Sequence, residues 1–346
     1  MTTSFSSLPI IDLTALSAQD SSSSDLKDLS TQLYDVFSTT GFAYLTNVPL
    51  FFSHEDVFDL AKNFFKIDSE AKARLAKQTF VPSNKNTYRG YFPTQPGQQD
   101  NLKEGFEMGP PAALSSKSAS KRQKFDLAEP NVWPEECSFD NGRARLEKLY
   151  NEIQGLSATL LSLLAVSLGK PADFFSNYLT DSLSTLRLLH YPPQSQPQDS
   201  ERGEVKLCCT PHTDSGILTL LHQDPTGGLE VQNAEGNWVP APYVPGSIVV
   251  NIGDLLASVS GRRFVATMHR VRTSDTGMGR ADGMGRFSVP FFFEPGEECV
   301  VRSVDGGDGV VYGEYVRRKM STWIEYQEPP QAARGAEVDR AVAVEA

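Results

Sequence analysis

The pattern of apolar and polar positions divides the chain into a helix-rich first part and a strand-rich second part. In the first part, apolar residues recur mainly at intervals of three or four, the spacing of an amphipathic helix. In chain order the pattern predicts a strand at 8–12, a helix through Leu33, Val36 and Phe37 that ends at Gly41, a strand at 42–45, and helices at 54–76 and 143–168. One stripe of the 54–76 segment is predicted to pack in the core: Val57, Leu60, Ala61, Phe64 and Phe65.

The second part consists of short β-type runs separated by Gly, Pro, Asn and Asp. The predicted strands are 185–191, 216–222, 229–232, 238–240, 247–252, 264–271 and 286–293, and a last helix is predicted at 312–326. This spacing favours a barrel or a double-sheet jelly roll over a parallel sheet with crossover helices. The fold class is therefore mainly β with flanking helices and an N-terminal α/β extension.

The 346 residues are predicted to form one catalytic unit. We expect a helical and α/β region at 1–175 that packs on a β core. This core spans 180–326 and includes the C-terminal helix. The tail at 327–346 has no clear pattern and is predicted to be disordered. The segment 111–124 is predicted to be a polar loop, either a solvated surface or a mobile lid.

Charge and cysteine content narrow the class of partner and the compartment. The net charge of −11 disfavours nucleic acid and anionic membrane surfaces, which call for clustered Lys and Arg. The apolar segment 156–168 is too short to span a membrane, and residues 1–9 do not have the pattern of a secretory signal. The chain has four cysteines, Cys137, Cys208, Cys209 and Cys299, and they do not suggest a disulfide framework. We therefore expect a cytoplasmic enzyme with a small-molecule substrate.

The histidines are few enough for every histidine-based metal site to be considered: His54, His190, His212, His222 and His269. Two of them stand in His-x-Asp pairs, at His212 and Asp214 and at His222 and Asp224. On an extended backbone both side chains of either pair point to the same face. The first pair precedes an apolar run and so lies at the mouth of a strand, where a site can open to ligand. The second pair enters a Pro-Thr-Gly-Gly turn, where Asp224 has a structural role in accepting from turn amides.

A third metal ligand has to come from far along the chain, and His269 in a strand-like segment is the best candidate. Two imidazoles and a carboxylate leave three positions open on an octahedral iron(II), as an oxygenase requires. The rival is a zinc hydrolase with the same ligands, but the helical His-Glu-x-x-His motif of such enzymes is absent.

The strand at 286–293 offers a second binding feature. Its period of two points Arg286 and Ser288 to one face, where a guanidinium and a hydroxyl suit a carboxylate. The same alternation points Phe292 inward, beside the substrate, and turns Phe291 and Phe293 to the opposite layer.

Taken together, these motifs resemble the isopenicillin N synthase-like branch of the 2-oxoglutarate- and iron(II)-dependent oxygenases, in a fungal-type form. The segments that carry the resemblance are Pro9-Ile-Ile-Asp12, Gly41-Phe42, Arg89-Gly-Tyr91, Leu186-Arg-Leu-Leu-His-Tyr-Pro192, His212-Thr-Asp214, Gly227-Gly-Leu-Glu-Val231, Val250-Asn-Ile-Gly-Asp254, His269-Arg-Val271 and Arg286-Phe-Ser288. The resemblance implies a distorted double-stranded β-helix, with iron on His212, Asp214 and His269. It also implies 2-oxoglutarate on Arg286, Ser288 and Tyr191.

One position departs from the family pattern. Plant members often have Asn two residues before the equivalent of Tyr191, where this chain has Leu189. Contacts to the cosubstrate are therefore expected to differ, and Arg187 is a candidate for a polar contact to a ligand.

The resemblance implies an enzyme that uses iron(II), 2-oxoglutarate and O₂ to oxidise a small organic molecule. The substrate is expected to be an amino acid, a nucleobase or a secondary metabolite, with hydroxylation as the default outcome and desaturation or ring closure as alternatives. A related oxidase without 2-oxoglutarate would use Arg286 and Ser288 for the substrate's own carboxylate. A zinc hydrolase and a non-catalytic binding protein are the remaining alternatives.

Overall fold

A computed structural model describes residues 3–17, 22–94, 102–112, 124–193, 207–272 and 283–323, and all structural statements below refer to these residues. The predicted tail at 327–346 and most of the predicted loop at 111–124 lie outside them.

Six α-helices occur in the described residues: α1 (Ser23–Thr39), α2 (His54–Phe65), α3 (Ser69–Arg74), α4 (Gly142–Ser167), α5 (Asp254–Val259) and α6 (Tyr312–Met320). Ser22 and Ser53 begin α1 and α2 with capping boxes, in which a serine hydroxyl and an aspartate three residues later satisfy exposed amides. The single helix predicted at 54–76 is two helices, because Asp68 caps a new helix by accepting from the amide of Ala71 at 2.9 Å. None of the helices in the described ranges is long and apolar enough to cross a membrane.

The same residues contain fourteen strands: β1 (Ile10–Asp12), β2 (Phe42–Thr46), β3 (Gly90–Phe92), β4 (Glu104–Met108), β5 (Thr185–Tyr191), β6 (Leu207–His212), β7 (Leu218–Gln223), β8 (Leu229–Gln232), β9 (Trp238–Pro240), β10 (Ile248–Ile252), β11 (His269–Arg272), β12 (Arg286–Phe293), β13 (Val300–Val301) and β14 (Val310–Val311). The large sheet has the order β1-β2-β10-β7-β12-β5-β4-β3, the small sheet has the order β6-β11-β8-β9, and β13 pairs with β14. All pairings except β1 with β2 are antiparallel. The jelly-roll prediction is thus confirmed.

Two apolar clusters hold this arrangement together. The larger one joins the outer face of the large sheet to α1, α2 and α4, and it contains the whole predicted stripe of the 54–76 segment. The smaller one lies between the two sheets and includes Phe42 and Tyr191 from the large sheet and Cys208, Val231 and Val271 from the small sheet. The functional residues discussed below lie at the edge of this inter-sheet cluster.

The N-terminal region contributes strands to the same sheet as the core. Strand β2 pairs with β10, and β4 pairs with β5. Residues before 175 therefore extend the large sheet on both sides as well as packing helices on it. The division of the chain at residues 175–180 stays a prediction.

The strand predicted at 264–271 is wrong in its first half, because β11 begins only at His269. Phe264 packs against the rings of Tyr34 and Phe37, and the amide of Val265 donates to the carbonyl of Phe37 at 3.0 Å. These residues attach the chain to α1 instead of pairing with a strand. The pattern also missed β3, β4, β6, β13, β14 and α5.

Candidate metal centre and adjoining cavity

Three side chains predicted to bind metal converge at the edge of the small sheet. His212 is the last residue of β6 and pairs across the sheet with His269, the first residue of β11, while Asp214 follows β6 by two residues. The Oδ1 atom of Asp214 lies 3.8 Å from Nε2 of each histidine. One ligand atom from each residue lies within 4.8 Å of the others, and no second group of three such ligands occurs in the described ranges. We call these residues the His-Asp-His triad.

Backbone carbonyls orient both imidazole rings of the triad. Nδ1 of His212 lies 2.8 Å from the carbonyl oxygen of Thr210, and Nδ1 of His269 lies 3.2 Å from that of Thr267. A proton on each Nδ1 satisfies these contacts and leaves each Nε2 lone pair facing Asp214. Burial, followed by the neighbouring His212, lowers the pKa of His269 to about 4, whereas the burial of His212 is outweighed by Cys209 and Asp214, which raise the pKa of His212 to about 9. His269 is therefore neutral at pH 7, and a metal ion would have to displace a proton from His212.

Two residues that the sequence analysis did not single out hold the carboxylate of Asp214. The hydroxyl of Thr219 and the side-chain amide of Asn251 donate to Oδ2 at 2.6 and 2.8 Å. Burial acts to raise the pKa of Asp214, but His269, His212 and these two hydrogen bonds outweigh it and hold the pKa below its ordinary value. The sequence does contain a signal for Asn251, since an asparagine inside the buried run Ile248–Ile252 requires a polar partner.

The donor set of the triad fits iron(II). Two imidazole nitrogens and one carboxylate oxygen converge, both remote ring nitrogens are hydrogen-bonded, and the second carboxylate oxygen is held. A metal held by these three groups would keep coordination positions open for a cosubstrate and O₂.

The second His-x-Asp pair does not join this cluster. The carboxylate of Asp224 accepts from the amides of Thr226 at 2.9 Å and Phe287 at 2.8 Å, so it stabilises the turn after β7. His222 is buried against His54 with ring centroids 5.0 Å apart, and neither of its ring nitrogens has a hydrogen-bond partner in the described structure. These contacts favour the structural interpretation of this pair.

Arg286, Ser288 and Tyr191 lie side by side on the large sheet. Arg286 pairs across the strands with Tyr191, and its guanidinium lies 4.6 Å from the centre of the tyrosine ring. Nε donates to the carbonyl of Gly227 at 2.7 Å, and Nη1 lies 3.3 Å from the hydroxyl of Ser288. Leu189, the departure from the family pattern, is buried in the inter-sheet cluster with Tyr191. The guanidinium is only 1% exposed and is fixed in orientation before any ligand binds.

A row of paired residues connects the triad to Phe292. In the large sheet Asn251 pairs with Thr219, and Thr219 pairs with Phe292. Phe292 then pairs with Thr185 on β5. Because Asn251 and Thr219 both hold Asp214, this register sets Phe292 next to the metal triad. The side-chain alternation of β12 is as predicted, since Phe292 is partly exposed while its neighbours Phe291 and Phe293 are fully buried on the other face.

A cavity of about 510 Å³ is bounded by the triad residues His212 and Asp214 on one side and by Phe292 and Arg187 on another. Its volume is in the range of small-molecule sites. The C-terminal end of α6 and the residues after it, with Lys319 and Trp323, contribute a further part of the wall.

The polar part of the cavity wall carries charges of both signs. Arg187 forms a buried ion pair with Glu107, its cross-strand partner, and Glu107 also pairs with the buried Lys77. The guanidinium of Arg187 lies 5.1 Å from the centre of the Phe292 ring. Glu294, two residues after Phe292, also lines the cavity, and burial raises its pKa to about 7. Arg187 was predicted from the sequence as a candidate for ligand contact, whereas neither glutamate was.

Two family models and several known proteins match this chain in sequence. The family model described as 2OG-Fe(II) oxygenase superfamily matches residues 180–295, and the model described as non-haem dioxygenase in morphine synthesis N-terminal matches residues 8–136. The chain is 32% identical to the proline hydroxylase buaE of Petromyces alliaceus over 309 residues, which covers 84% of this chain and 89% of that protein. It is 30% identical to the homoarginine-6-hydroxylase 2-ODD-233 of rice over 348 residues, with 93% and 99% covered.

Solved structures give the same picture. The crystal structure of a full-length Neurospora crassa protein in complex with alpha-KG and thymine superposes with a TM-score of 0.74 at 26% identity, covering 91% of this chain and 97% of that one. A putative 2OG-Fe(II) oxygenase family protein from Caulobacter crescentus superposes with a TM-score of 0.73 at 27% identity, covering 92% and 99%. The predicted double-stranded β-helix core is thereby confirmed.

Proposed function

We propose, from the premise that this chain belongs to the 2-oxoglutarate- and iron(II)-dependent oxygenase superfamily, that it hydroxylates a small organic molecule held in the cavity beside the His-Asp-His triad. The chain is an oxidoreductase of that superfamily, and its cofactors are iron(II) and 2-oxoglutarate. The observation that carries the proposal is the convergence of three oriented metal ligands, two of which, His212 and Asp214, line a cavity of small-molecule size. Hydroxylation is favoured over desaturation and ring closure because two of the related proteins are named hydroxylases.

We assign iron(II) to His212, Asp214 and His269. When bound there with 2-oxoglutarate, the metal supplies the oxidising chemistry, in which O₂ is consumed and the cosubstrate is converted to succinate and CO₂. The protein's part is to hold both imidazoles in a fixed orientation, and to keep Oδ1 of Asp214 directed at the metal position. The hydrogen bonds from Thr219 and Asn251 support the second of these roles.

We assign the distal carboxylate of 2-oxoglutarate to Arg286 and Ser288, with Tyr191 beside them. A buried guanidinium that is already fixed by Gly227 and by stacking on Tyr191 loses little side-chain freedom on binding. The inter-sheet cluster that contains Tyr191 also contains Phe42, whose ring is 5.2 Å from that of His269. Tyr191 and the triad residue His269 are thus linked through one apolar cluster, and the assignment itself rests on the family's use of 2-oxoglutarate and on the buried, fixed guanidinium.

We assign Phe292 and Arg187 to the substrate. Phe292 offers a partly exposed aromatic face next to the metal triad, and Arg187 is fixed beside it by its ion pair with Glu107. An amino acid, a nucleobase or a secondary metabolite carries the polar groups that such a wall can bind. The related proteins support the first two classes, since two are named for proline and homoarginine and one is titled with thymine.

The cavity also restricts water near the reacting atoms. Phe292, Met268 and Trp323 supply apolar surface around the metal position. With substrate bound, this surface limits side reactions of the oxidant with solvent and holds the reacting C–H group at a fixed place.

We propose a reducing compartment, such as the cytosol, for this enzyme. All four cysteines are free of disulfide bonds, and Cys209 lies at the cavity wall next to His212. This usage of cysteine is typical of proteins in reducing compartments.

The ligand assignment is tested by single alanine variants of the triad. We expect His212→Ala, Asp214→Ala and His269→Ala to lose bound iron and to release no succinate, whereas His222→Ala keeps both. His222 is the matched control because it belongs to the other His-x-Asp pair. Iron content measured by atomic emission and succinate measured by mass spectrometry decide the question. Full iron content and succinate release in any triad variant contradicts the assignment.

A further inference from the structure

Helix α6 is tied to the segment that carries the metal ligand Asp214 by two side chains. The hydroxyl of Tyr315 donates to the carbonyl of Ser215, the residue after Asp214, at 3.0 Å. One turn later, Nζ of Lys319 lies 2.8 Å from Oδ2 of Asp254. The two contacts reach the same segment by different routes.

The second route continues through the backbone at the start of α5. The amide of Asp254 donates to the carbonyl of Asp214 at 2.7 Å, and the amide of Gly253 donates to that of Ile217 at 3.0 Å. This close approach needs a glycine, because a Cβ on Gly253 would overlap the carbonyl oxygen of Gly216. The position of Asp254 therefore sets the position of the Asp214 backbone, and Lys319 holds the Asp254 side chain from α6.

The same end of α6 reaches the substrate cavity. Lys319 lines the cavity, as do Thr322 and Trp323 just beyond the helix. The ion pair between Lys319 and Asp254 is partly exposed, with side-chain exposures of 38% and 27%, so its own contribution to folding stability is small. The pair nevertheless connects the cavity wall to the segment that carries Asp214.

We propose that Tyr315 and Lys319 are positioning residues for the metal ligand Asp214, and that docking of α6 at the cavity wall is thereby coupled to metal affinity. Tyr315 acts through the carbonyl of Ser215, and Lys319 acts through Asp254. The inference rests on the proposed assignment of Asp214 as an iron ligand. By thermodynamic reciprocity, a helix that favours metal binding when docked is itself docked more firmly when metal is bound.

The test uses Mn(II) as the probe, because it binds such sites without reacting with O₂ and its binding is read by electron paramagnetic resonance. The variants are Tyr315→Phe, Lys319→Met and the double variant in the full chain. Each single change removes one hydrogen bond, so we expect the Kd for Mn(II) to rise roughly 2- to 12-fold, and further in the double variant. Arg318→Met is the matched control, since Arg318 is an exposed cation on the same helix, and it should leave the Kd unchanged. Lys319→Arg keeps the pair with Asp254 and should bind Mn(II) as the unaltered protein does.

A second readout separates positioning from simple attachment of the helix. Hydrogen exchange of the α6 amides should slow when Mn(II) is added to the unaltered protein, and this protection should shrink in the double variant. If the substitutions lower the melting temperature of the metal-free protein but leave the Kd for Mn(II) and the exchange response unchanged, α6 is only attached and the inference is wrong. Should Lys319→Met fail to fold, Asp254→Asn breaks the same pair from its other side and has the same expected result.

A final variant distinguishes this inference from the assignment on which it rests. His212→Ala must abolish tight Mn(II) binding. If it does not, the triad itself is misassigned and the inference falls with it. If His212→Ala abolishes binding while Tyr315→Phe and the double variant bind normally, the triad stands and only the role of α6 is refuted.

Discussion

Replacement of Arg286 by Gln is the perturbation that most directly tests how the cosubstrate is held. The guanidinium is 1% exposed, donates to Gly227 at 2.7 Å, lies 3.3 Å from Ser288 and stacks on Tyr191. Its remaining donors are available to a carboxylate bound beside Ser288. Glutamine keeps a polar group at the site but removes the positive charge and the forked geometry.

The size of the effect follows from the kind of bond that is lost. A hydrogen bond to a charged group contributes about 1.5–3 kcal/mol, so we expect the Kd for 2-oxoglutarate to rise about 10- to 150-fold in Arg286→Gln. Ser288→Ala removes one hydroxyl contact, worth about 0.5–1.5 kcal/mol, and should raise the same Kd roughly 2- to 12-fold. The partly buried carbonyl of Gly227 also loses its donor in Arg286→Gln, which costs about 0.5–1.5 kcal/mol of folding stability.

The assay is calorimetric titration of 2-oxoglutarate into Mn(II)-loaded protein, with the melting temperature of each variant measured alongside. Arg143→Gln is the control, because Arg143 is an exposed arginine on α4 that pairs with Glu147. This control should bind 2-oxoglutarate normally. An Arg286→Gln variant that is folded and binds 2-oxoglutarate within two-fold of the unaltered protein refutes the assignment. So does a variant that loses the organic substrate instead, as expected if Arg286 and Ser288 bound the substrate's own carboxylate.

Three further predictions concern the triad, the cavity and the buried histidine pair. Phe292→Ala should raise the substrate KM about 10-fold because an aromatic contact is lost, whereas Phe291→Ala on the opposite face should cost about 3–5 kcal/mol of folding stability. Steady-state kinetics and denaturant unfolding separate the two effects. A Phe292 variant with lowered stability and unchanged KM contradicts a substrate contact. Thr219→Val should weaken Mn(II) binding about 10- to 100-fold because Asp214 loses a hydrogen bond, and Thr219→Ser should bind Mn(II) normally because it keeps the hydroxyl. Equal Kd values in both variants would falsify the role of Thr219 in holding Asp214. Burial, followed by the charge of His54, lowers the pKa of His222 from 6.5 to about 3. The unfolded chain therefore takes up this proton first, and stability falls by about 1.4 kcal/mol per pH unit between pH 6.5 and about 3. His222→Leu should flatten this acid limb in unfolding measurements, and an unchanged slope would show that the loss has another source.

The elements that the sequence predicted well are those whose side-chain period matches their environment. Strands β5, β8, β9 and β12 have the predicted bounds, because each is a short apolar run between turn residues. The period of two on β12 was enough to separate the face of Phe292 from that of Phe291. A motif that lies within one strand or turn is fixed by local geometry, and both the Arg-x-Ser and His-x-Asp motifs are of this kind.

The joining of His269 to the first His-x-Asp pair rested on residue type and on family resemblance, since 55 residues of chain separate it from Asp214. The tertiary structure supplied the physical reason, which is the antiparallel pairing of β6 with β11 that sets His212 opposite His269. Strand β6 itself was missed because its sequence, Leu-Cys-Cys-Thr-Pro-His, contains a proline and little alternation. Its pairing with β11 compensates for that weak local preference.

The sequence by itself determined the residue types of the candidate metal ligands and of the Arg-x-Ser pair and their order along the chain, and these indicate the chemistry. The environment of those residues was decided only by the tertiary structure. Thr219 and Asn251 lie inside apolar runs and become partners of Asp214 only when β7 and β10 pair side by side. Arg187 forms its ion pair with Glu107 on β4. Tyr315 on α6 contacts Ser215, beside Asp214, from about 100 residues farther along the chain. Contacts between distant segments depend on how sheets and helices pack against each other, which no periodicity within a single segment records.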